Sequence, residues 1–177
     1  MDRMNLVAGG LFLLADAFAM ASVIIPEWIV AEIRSSISGP HKFGLLRFCL
    51  KIAGRQSTEC YFAESNSTWL LTLVCICIGC IYSFAAGIIL LMSFSNRWRP
   101  RRSIARSARW FGLCSMTLFC VAAILLPAGF GRVEIGGAAY QLPKNCRIGL
   151  SYILFILSLW IVIVSELFAG RFCTPRL

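Results

Sequence analysis

The stretch Trp69–Met92, WLLTLVCICIGCIYSFAAGIILLM, contains no charged residue, and Arg97–Arg109, RWRPRRSIARSAR, follows with six arginines and no acid. An α-helix rises about 1.5 Å per residue, so about 20 apolar residues cross the hydrocarbon core of a bilayer. Arginine-rich loops stay on the cytosolic side during insertion. These two segments therefore predict a transmembrane helix followed by a cytosolic connector, residues 95–109.

Three further apolar stretches have a similar length. The four predicted spans are residues 6–25, 69–92, 111–130 and 150–168. With the connector in the cytosol, both termini are cytosolic as well, and segments 30–68 and 131–149 are outer loops. The pattern predicts a multi-pass plasma-membrane protein built as a single domain, residues 1–177: an all-α bundle of four transmembrane helices with a small extracellular β-sheet.

The first apolar stretch has an alternative interpretation as a cleaved signal peptide. Ala17-Phe18-Ala19 and Ala19-Met20-Ala21 both fit a small-residue cleavage site. Asp16 lies just before them, however, and the apolar run continues to Ile25, longer than the about 7–15 residues of a secretory apolar region. We therefore expect an uncleaved first span.

Composition excludes several classes of protein. With 59% apolar and 14% charged residues, a soluble globule is not expected. The net charge of +9 comes largely from short cytosolic segments. Six of these basic residues are Arg97, Arg99, Arg101, Arg102, Arg106 and Arg109. Basic residues beside a membrane set the topology and attract anionic lipid, each contributing about 1 kcal/mol. We therefore expect membrane lipid, and no nucleic acid, as their partner.

The nine cysteines divide by compartment. Cys49 and Cys60 lie in the first outer loop and Cys146 in the second, whereas Cys173 lies in the cytosolic tail. Because only the outside is oxidising, Cys49–Cys60 is the expected disulfide, and it contributes about 3 kcal/mol in the chain-entropy model. Cys146 is then left without a second cysteine in the outer loops with which to pair. Cys173 follows the last span closely, which makes it a candidate for palmitoylation.

The first outer loop contains a strand pattern. Leu46–Ile52 alternates apolar residues with polar residues or cysteine, and Gly54 ends the pattern before Arg55–Phe62. This predicts a hairpin linked by the disulfide. Residues 138–142 of the second outer loop are a candidate for another short strand, and we expect the sequon at Asn66 to be unmodified because it adjoins the membrane.

Asp16 is the most unusual residue of the spans. An acid near the middle of a membrane costs about 2.5–3.5 kcal/mol on insertion scales, and it indicates a functional site by default. Its expected companions are hydroxyls, for example those of Ser151, Ser158 and Ser165, which share one face of the last span. Glu166 is the other acid within a span. We favour a packing role for Asp16 over a proton or ion site.

Small residues form a ladder along the second span. Gly79, Ser83 and Gly87 recur every fourth residue, a pattern that lets transmembrane helices approach closely. The pairs Ala15-Ala19 and Ala17-Ala21 of the first span offer a matching surface. We interpret the ladder as a packing surface within the bundle, with recognition of a partner's transmembrane helix as the alternative.

Two features bear on catalysis. Cys77-Ile78-Gly79-Cys80 is a CxxC motif, which opens an alternative as a four-span quinone-linked thiol oxidoreductase. Burial in hydrocarbon raises the pKa of a thiol and makes it unreactive, so we expect these cysteines to be inert. His41 is the only histidine and is expected on an exposed loop. We predict no enzyme activity, no metal and no cofactor.

The first outer loop reads Trp28, then Gly44-Leu45-Leu46-Arg47-Phe48-Cys49, then Cys60. This resembles the W…GLWxxC…C signature of the claudin-like tetraspan superfamily. The resemblance implies a left-handed four-helix bundle with an extracellular sheet pinned by the disulfide. Leu46 stands where claudins have the second tryptophan, which argues against a paracellular barrier or pore.

A closer resemblance extends over nearly the whole chain. The matching blocks are Leu11–Ala19, Pro26–Ile29, Gly44–Cys49, Ala108–Trp110, Leu126–Phe130, Gly136-Gly137, Tyr140–Pro143 and Leu167–Cys173. The sequence is similar to the modulator-of-Smoothened family. This similarity implies negative regulation of Hedgehog signalling, association with a single-pass receptor-like protein with EGF-like domains and with a RING ubiquitin ligase, and lowered Smoothened at the cell surface and primary cilium.

We therefore expect a membrane adaptor that works by binding, located at the plasma membrane, with cilium and endocytic membranes implied by the resemblance. A claudin-type junction or channel-auxiliary protein is the first alternative, and the thiol oxidoreductase is the second.

Overall fold

The structure is a computed structural model, and it describes residues 2–31, 41–51, 58–62, 67–95, 101–131, 140–142 and 146–170. Its four helices are α1 (Asp2–Ile24), α2 (Ser67–Ser95), α3 (Arg101–Ala128) and α4 (Leu150–Gly170). Each contains an apolar stretch long enough to cross a membrane: Met4–Ile24, Ser67–Ser93, Arg106–Ala128 and Leu150–Ala169. The prediction of four spans is confirmed, with boundaries within a few residues of those expected except at the start of the third.

Helix α3 begins earlier than the predicted third span. Residues 101–109 were expected to form a connector, but α3 begins at Arg101 and a membrane-length stretch begins at Arg106. Pro100 precedes the helix, and a proline disfavours helical geometry in the residue before it. No glycine or proline follows until Gly112, so nothing in the sequence breaks the helix between Arg101 and the apolar stretch.

Five short strands form one antiparallel sheet in the order β4-β3-β2-β1-β5. They are β1 (Ile29–Ala31), β2 (His41–Phe43), β3 (Arg47–Lys51), β4 (Thr58–Phe62) and β5 (Cys146–Ile148). The predicted hairpin of β3 and β4 is confirmed. Of the candidate strand 138–142, the structure describes residues 140–142, where Tyr140 lies in a turn with φ of 63° and Gln141 forms an isolated bridge. The second loop also supplies β5, which was not predicted.

His41 also differs from its expected place. It lies in β2, where it pairs with Ala31 of β1, and it is half-buried rather than on an exposed loop. Its ring meets Phe48 edge-on, with the centroids 6.1 Å apart. His41 is therefore part of the sheet.

Residue contacts group the chain into two compact units. The first comprises Met1–Ala19, Cys75–Cys120 and Leu157–Leu177, and the second comprises Met20–Val74 and Val121–Ile156. In the first unit, fully buried apolar side chains come from all four helices and include Phe12, Ile76, Phe119 and Val162. The second unit contains the sheet, and its buried side chains include Trp28, Ile29, Leu126 and Phe155.

Candidate functional site

The disulfide links the two strands of the hairpin within the second unit. Cys49 and Cys60 are directly opposite each other in the register of β3 and β4, and their sulfur atoms are bonded. Cys49 is 2% exposed, whereas Cys60 is exposed. The predicted pairing is confirmed. It ties an edge strand, β4, to the sheet.

Trp28 connects the end of α1 to the sheet and to α4. Its indole nitrogen donates a hydrogen bond to the carbonyl of Ser22 over 2.8 Å, and the side chain is 1% exposed. Its ring centroid lies 5.6 Å from that of Phe155 and 6.3 Å from that of Tyr152. The tryptophan of the motif therefore fixes where the chain leaves α1 and enters β1.

Gly44 and Leu45 form the turn between β2 and β3. The Gly44 amide donates to the carbonyl of Arg47 over 2.9 Å. A Cβ added at Gly44 would lie 2.7 Å from Cα of Pro26, so no larger residue fits without a backbone shift. Leu45 is 6% exposed and fills the core. The motif residues thus position the strand that carries Cys49.

Ser151 makes a connection that the sequence analysis missed. Its hydroxyl donates to the carbonyl of Ile25 over 2.7 Å and accepts from the amide of Glu27 over 3.2 Å. The nearby amide of Gly149 donates to the carbonyl of Trp28 over 2.9 Å. The predicted column of hydroxyls beside Asp16 includes Ser151, which instead bonds to the segment between α1 and β1. Its position at the first turn of α4, where serine commonly satisfies free backbone groups, was the available signal.

The edge of the sheet carries exposed aromatic side chains. Tyr61 is 55% exposed and Phe62 is 82% exposed, both on β4. The guanidinium carbon of Arg47 lies 5.9 Å from the centroid of the Phe62 ring, in a cation–π arrangement. The Tyr61 hydroxyl donates to Glu59 over 2.6 Å, and this hydrogen bond, with the negative charge of Glu59, raises the pKa of Tyr61. This edge combines exposed apolar rings with the guanidinium of Arg47.

Lys42 and Glu27 form an ion pair near the sheet. Their side chains are 40% and 28% exposed, so the pair is partly solvated. Such pairs contribute about 0–1 kcal/mol. We assign it a minor part in stability.

Asp16 is buried in the first unit, with 8% of its surface exposed. The polar side chains that face it are Ser83 and Cys80 of α2. The Ser83 hydroxyl donates instead to the carbonyl of Phe12 over 3.3 Å, and within the described residues both carboxyl oxygens of Asp16 have no hydrogen bond of ordinary geometry. Among the described residues, the polar groups beside Asp16 therefore come from α2, as the hydroxyl of Ser83 and the thiol of Cys80.

The serine column of α4 does not act as expected. Ser165 donates to the carbonyl of Ile161 in its own helix over 2.7 Å. Ser158 is fully buried, and its hydroxyl, like that of Ser115 on α3, has no hydrogen-bond partner within the described residues. The predicted role of Ser158, as an intramembrane polar residue beside Asp16, therefore stays a prediction.

Glu166 forms a second buried acidic position in the first unit. It is 7% exposed, and Arg109 of α3 is the cation that acts on it. A Cβ added at Gly112 would overlap Oε1 of Glu166 and would lie 2.8 Å from Cζ of Phe12. Gly112 therefore provides the space that the Glu166 carboxyl occupies.

The small-residue ladder of α2 packs on two neighbours. A Cβ at Gly79 would lie 2.5 Å from the ring of Phe119 on α3, and one at Gly87 would lie 3.2 Å from the carbonyl of Gly9 on α1. Ser83 bonds to Phe12 of α1. The predicted packing role fits these contacts, and Gly9 and Phe12 are α1 residues that meet the ladder.

The remaining predicted residues are distributed as follows. Arg106 is exposed and Arg109 is half-buried on α3, while Arg101 and Arg102 lie in its first turn. Arg97, Arg99, Cys173 and Asn66 lie outside the described residues. Cys77 is exposed and Cys80 is buried, and both are free thiols, as is Cys146. Within the described part of the chain, no group of three or more His, Cys, Asp or Glu side chains is placed to hold a metal.

Four membrane-length helices together with a disulfide-linked sheet define a four-span membrane protein. The family model "Attenuator of Hedgehog" matches residues 25–175. The match covers most of the chain, and the protein belongs to this family. The family predicted from the resemblance is confirmed, and membership assigns the protein a role in attenuating Hedgehog signalling.

Proposed function

We propose that the protein is a non-enzymatic membrane adaptor that lowers Smoothened at the cell surface through a membrane-tethered ubiquitin ligase complex. Its membership in the Attenuator of Hedgehog family carries this proposal. The adaptor joins two partners: a single-pass receptor-like protein with EGF-like domains, and a RING-type ligase.

The edge of the sheet supports binding rather than catalysis. Phe62 and Tyr61 are exposed on β4, beside Arg47. An unpaired edge strand offers backbone groups to an extended segment, and exposed aromatic and arginine side chains dominate many binding surfaces. In this proposal, β4 and its neighbours receive the outer partner.

The disulfide provides the first test. In cells that lack the endogenous protein, the double variant Cys49→Ser, Cys60→Ser should fail to reach the surface and to capture the partner, because β4 is no longer tied to β3. Cys146→Ser is the matched control, since Cys146 is a free thiol on β5. Normal surface capture by the double variant would contradict the binding role of the sheet.

The Smoothened step has its own test. Loss of the protein should raise surface Smoothened in a Hedgehog-competent cell, measured by flow cytometry with an antibody to its ectodomain. Wild-type protein should restore the low level. The variant Phe62→Ser should reach the surface but should not restore it, whereas Phe84→Leu, on the lipid-facing side of α2, should restore it fully. An unchanged Smoothened level after loss of the protein would overturn the proposed function.

A further inference from the structure

Trp160 occupies an unusual place on α4. It is 62% exposed and lies about 15 Å along the helix from either end of the span Leu150–Ala169. Tryptophan is enriched at the two membrane interfaces, where its N–H meets polar groups. Within the described residues, the indole N–H of Trp160 has no acceptor. Acyl chains provide no acceptor at this depth either. The indole N–H of Trp160 therefore needs an acceptor from another protein chain.

The exposed face of α3 carries an acceptor at a matching depth. Thr117 is exposed and lies near the middle of the span Arg106–Ala128. Its hydroxyl donates to the carbonyl of Cys114 over 2.9 Å, which leaves the lone pairs of the oxygen free to accept. Cys114 is also exposed and lies three residues before Thr117, so two small side chains are neighbours on this face.

Depth and direction favour a second copy of the same chain. Consecutive spans cross the membrane in opposite directions, so α3 of one copy and α4 of another meet antiparallel at a fixed depth. When Thr117 is level with Trp160, the two helix faces align at three successive positions. The pairs are Thr117 with Trp160, Cys114 with Val164, and Trp110 with Leu167. Each of these six side chains is exposed in the single chain.

We infer that the protein self-associates within the membrane through the α3 face Trp110, Cys114 and Thr117 of one copy and the α4 face Trp160, Val164 and Leu167 of another. In this arrangement the indole of Trp160 packs over Cys114 and Thr117 and donates to the Thr117 hydroxyl. Small residues that let helices approach, together with an interhelical hydrogen bond, are what stabilise helix pairs in lipid. This inference does not depend on the proposed signalling role.

Cysteine cross-linking in native membranes tests the register directly. In a Cys77→Ser background, which removes the exposed thiol of α2, Val164→Cys should form a disulfide with Cys114 of another copy after mild oxidation, seen as a dimer on a non-reducing gel. Mass spectrometry should locate the bond between positions 114 and 164. Adding Cys114→Ser should abolish the dimer. Ile163→Cys, on a different face of α4, is the matched control and should give no dimer.

A second measurement tests the hydrogen bond. Thr117→Val and Trp160→Phe should each weaken self-association in lipid bilayers by about threefold to about tenfold, measured by energy transfer between labelled copies. The double variant should be no weaker than the stronger single variant, because both remove the same bond. Equal cross-linking from positions 163 and 164, no dimer although both thiols react with a membrane-permeant reagent, or additive effects of the two substitutions would each overturn the proposal.

Discussion

The indole nitrogen of Trp28 donates to the carbonyl of Ser22 over 2.8 Å. Ser22 lies in the last turn of α1, whereas Trp28 directly precedes β1. The helix ends at Ile24, so the carbonyls of its last turn have no partner further along the helix. Trp28 satisfies one of them and fills the core beneath the sheet. The Trp28 side chain thus stabilises both the end of α1 and the sheet that follows it.

Trp28→Phe and Trp28→Ala should separate the contribution of the hydrogen bond to Ser22 from that of core packing. Phenylalanine keeps one aromatic ring of smaller size and has no N–H, so the Ser22 carbonyl loses its donor in a buried position, and we expect this loss to cost about 1–3 kcal/mol. Trp28→Ala should cost about 3–5 kcal/mol, because it also leaves a cavity. Thermal unfolding of the purified protein in mild detergent measures both. Phe84→Leu is the control, since Phe84 is 55% exposed on α2, and an equal loss there would contradict the assignment.

Gly112→Ala should destabilise the first unit. The added Cβ would overlap Oε1 of Glu166 and crowd Phe12, and overpacking of this kind costs about 1–3 kcal/mol. Gly10→Ala is a matched helix substitution with no heavy atom within 4 Å of the added Cβ, so it should be neutral or slightly stabilising. Combining Gly112→Ala with Glu166→Ala should restore part of the loss. A Gly112→Ala protein as stable as the wild type would show that Glu166 has room to move.

The helices and strands that could be predicted are those determined by the residues within their own segment. Apolar length determined the spans, and the alternation from Leu46 together with Cys49 and Cys60 determined the hairpin. The partners of buried polar groups could not be predicted in this way. Asp16 faces Ser83 and Cys80 because of how α1 and α2 rotate against each other, and helix rotation depends on packing between distant segments.

The start of α3 and the fifth strand illustrate the same limit. Hydropathy locates the part of a helix in lipid, but Pro100 rather than the lipid boundary precedes the first helical residue, Arg101. The strand Cys146–Ile148 is three residues long and has no clear alternation of burial. It is a strand because it pairs with β1, and that partner lies more than a hundred residues away in the chain.

Asp16→Leu should leave the fold intact and raise its stability. The Asp16 carboxyl is buried without a hydrogen bond among the described residues, and a buried polar group in that state costs about 1–3 kcal/mol. Leucine has a similar shape and no such cost. Asp16→Asn, which keeps a polar group, should stay close to the wild type. Thermal unfolding in detergent orders the three proteins, and a clear loss in Asp16→Leu would show that the carboxyl has a stabilising partner.

Cys146 provides a test of topology and of burial in one experiment. Burial raises the pKa of its thiol above the ordinary value, so at neutral pH less of it is the reactive thiolate than for an exposed cysteine. On intact cells, a membrane-impermeant maleimide should therefore label Cys146 slowly at pH 7 and progressively faster as the pH rises towards the raised pKa. Ile148→Cys in a Cys146→Ser background places a thiol at a position where the native side chain is 54% exposed, and it should react faster at every pH below that pKa. Labelling of neither thiol until the cells are permeabilised would place β5, and with it the predicted outer loops, on the cytosolic side.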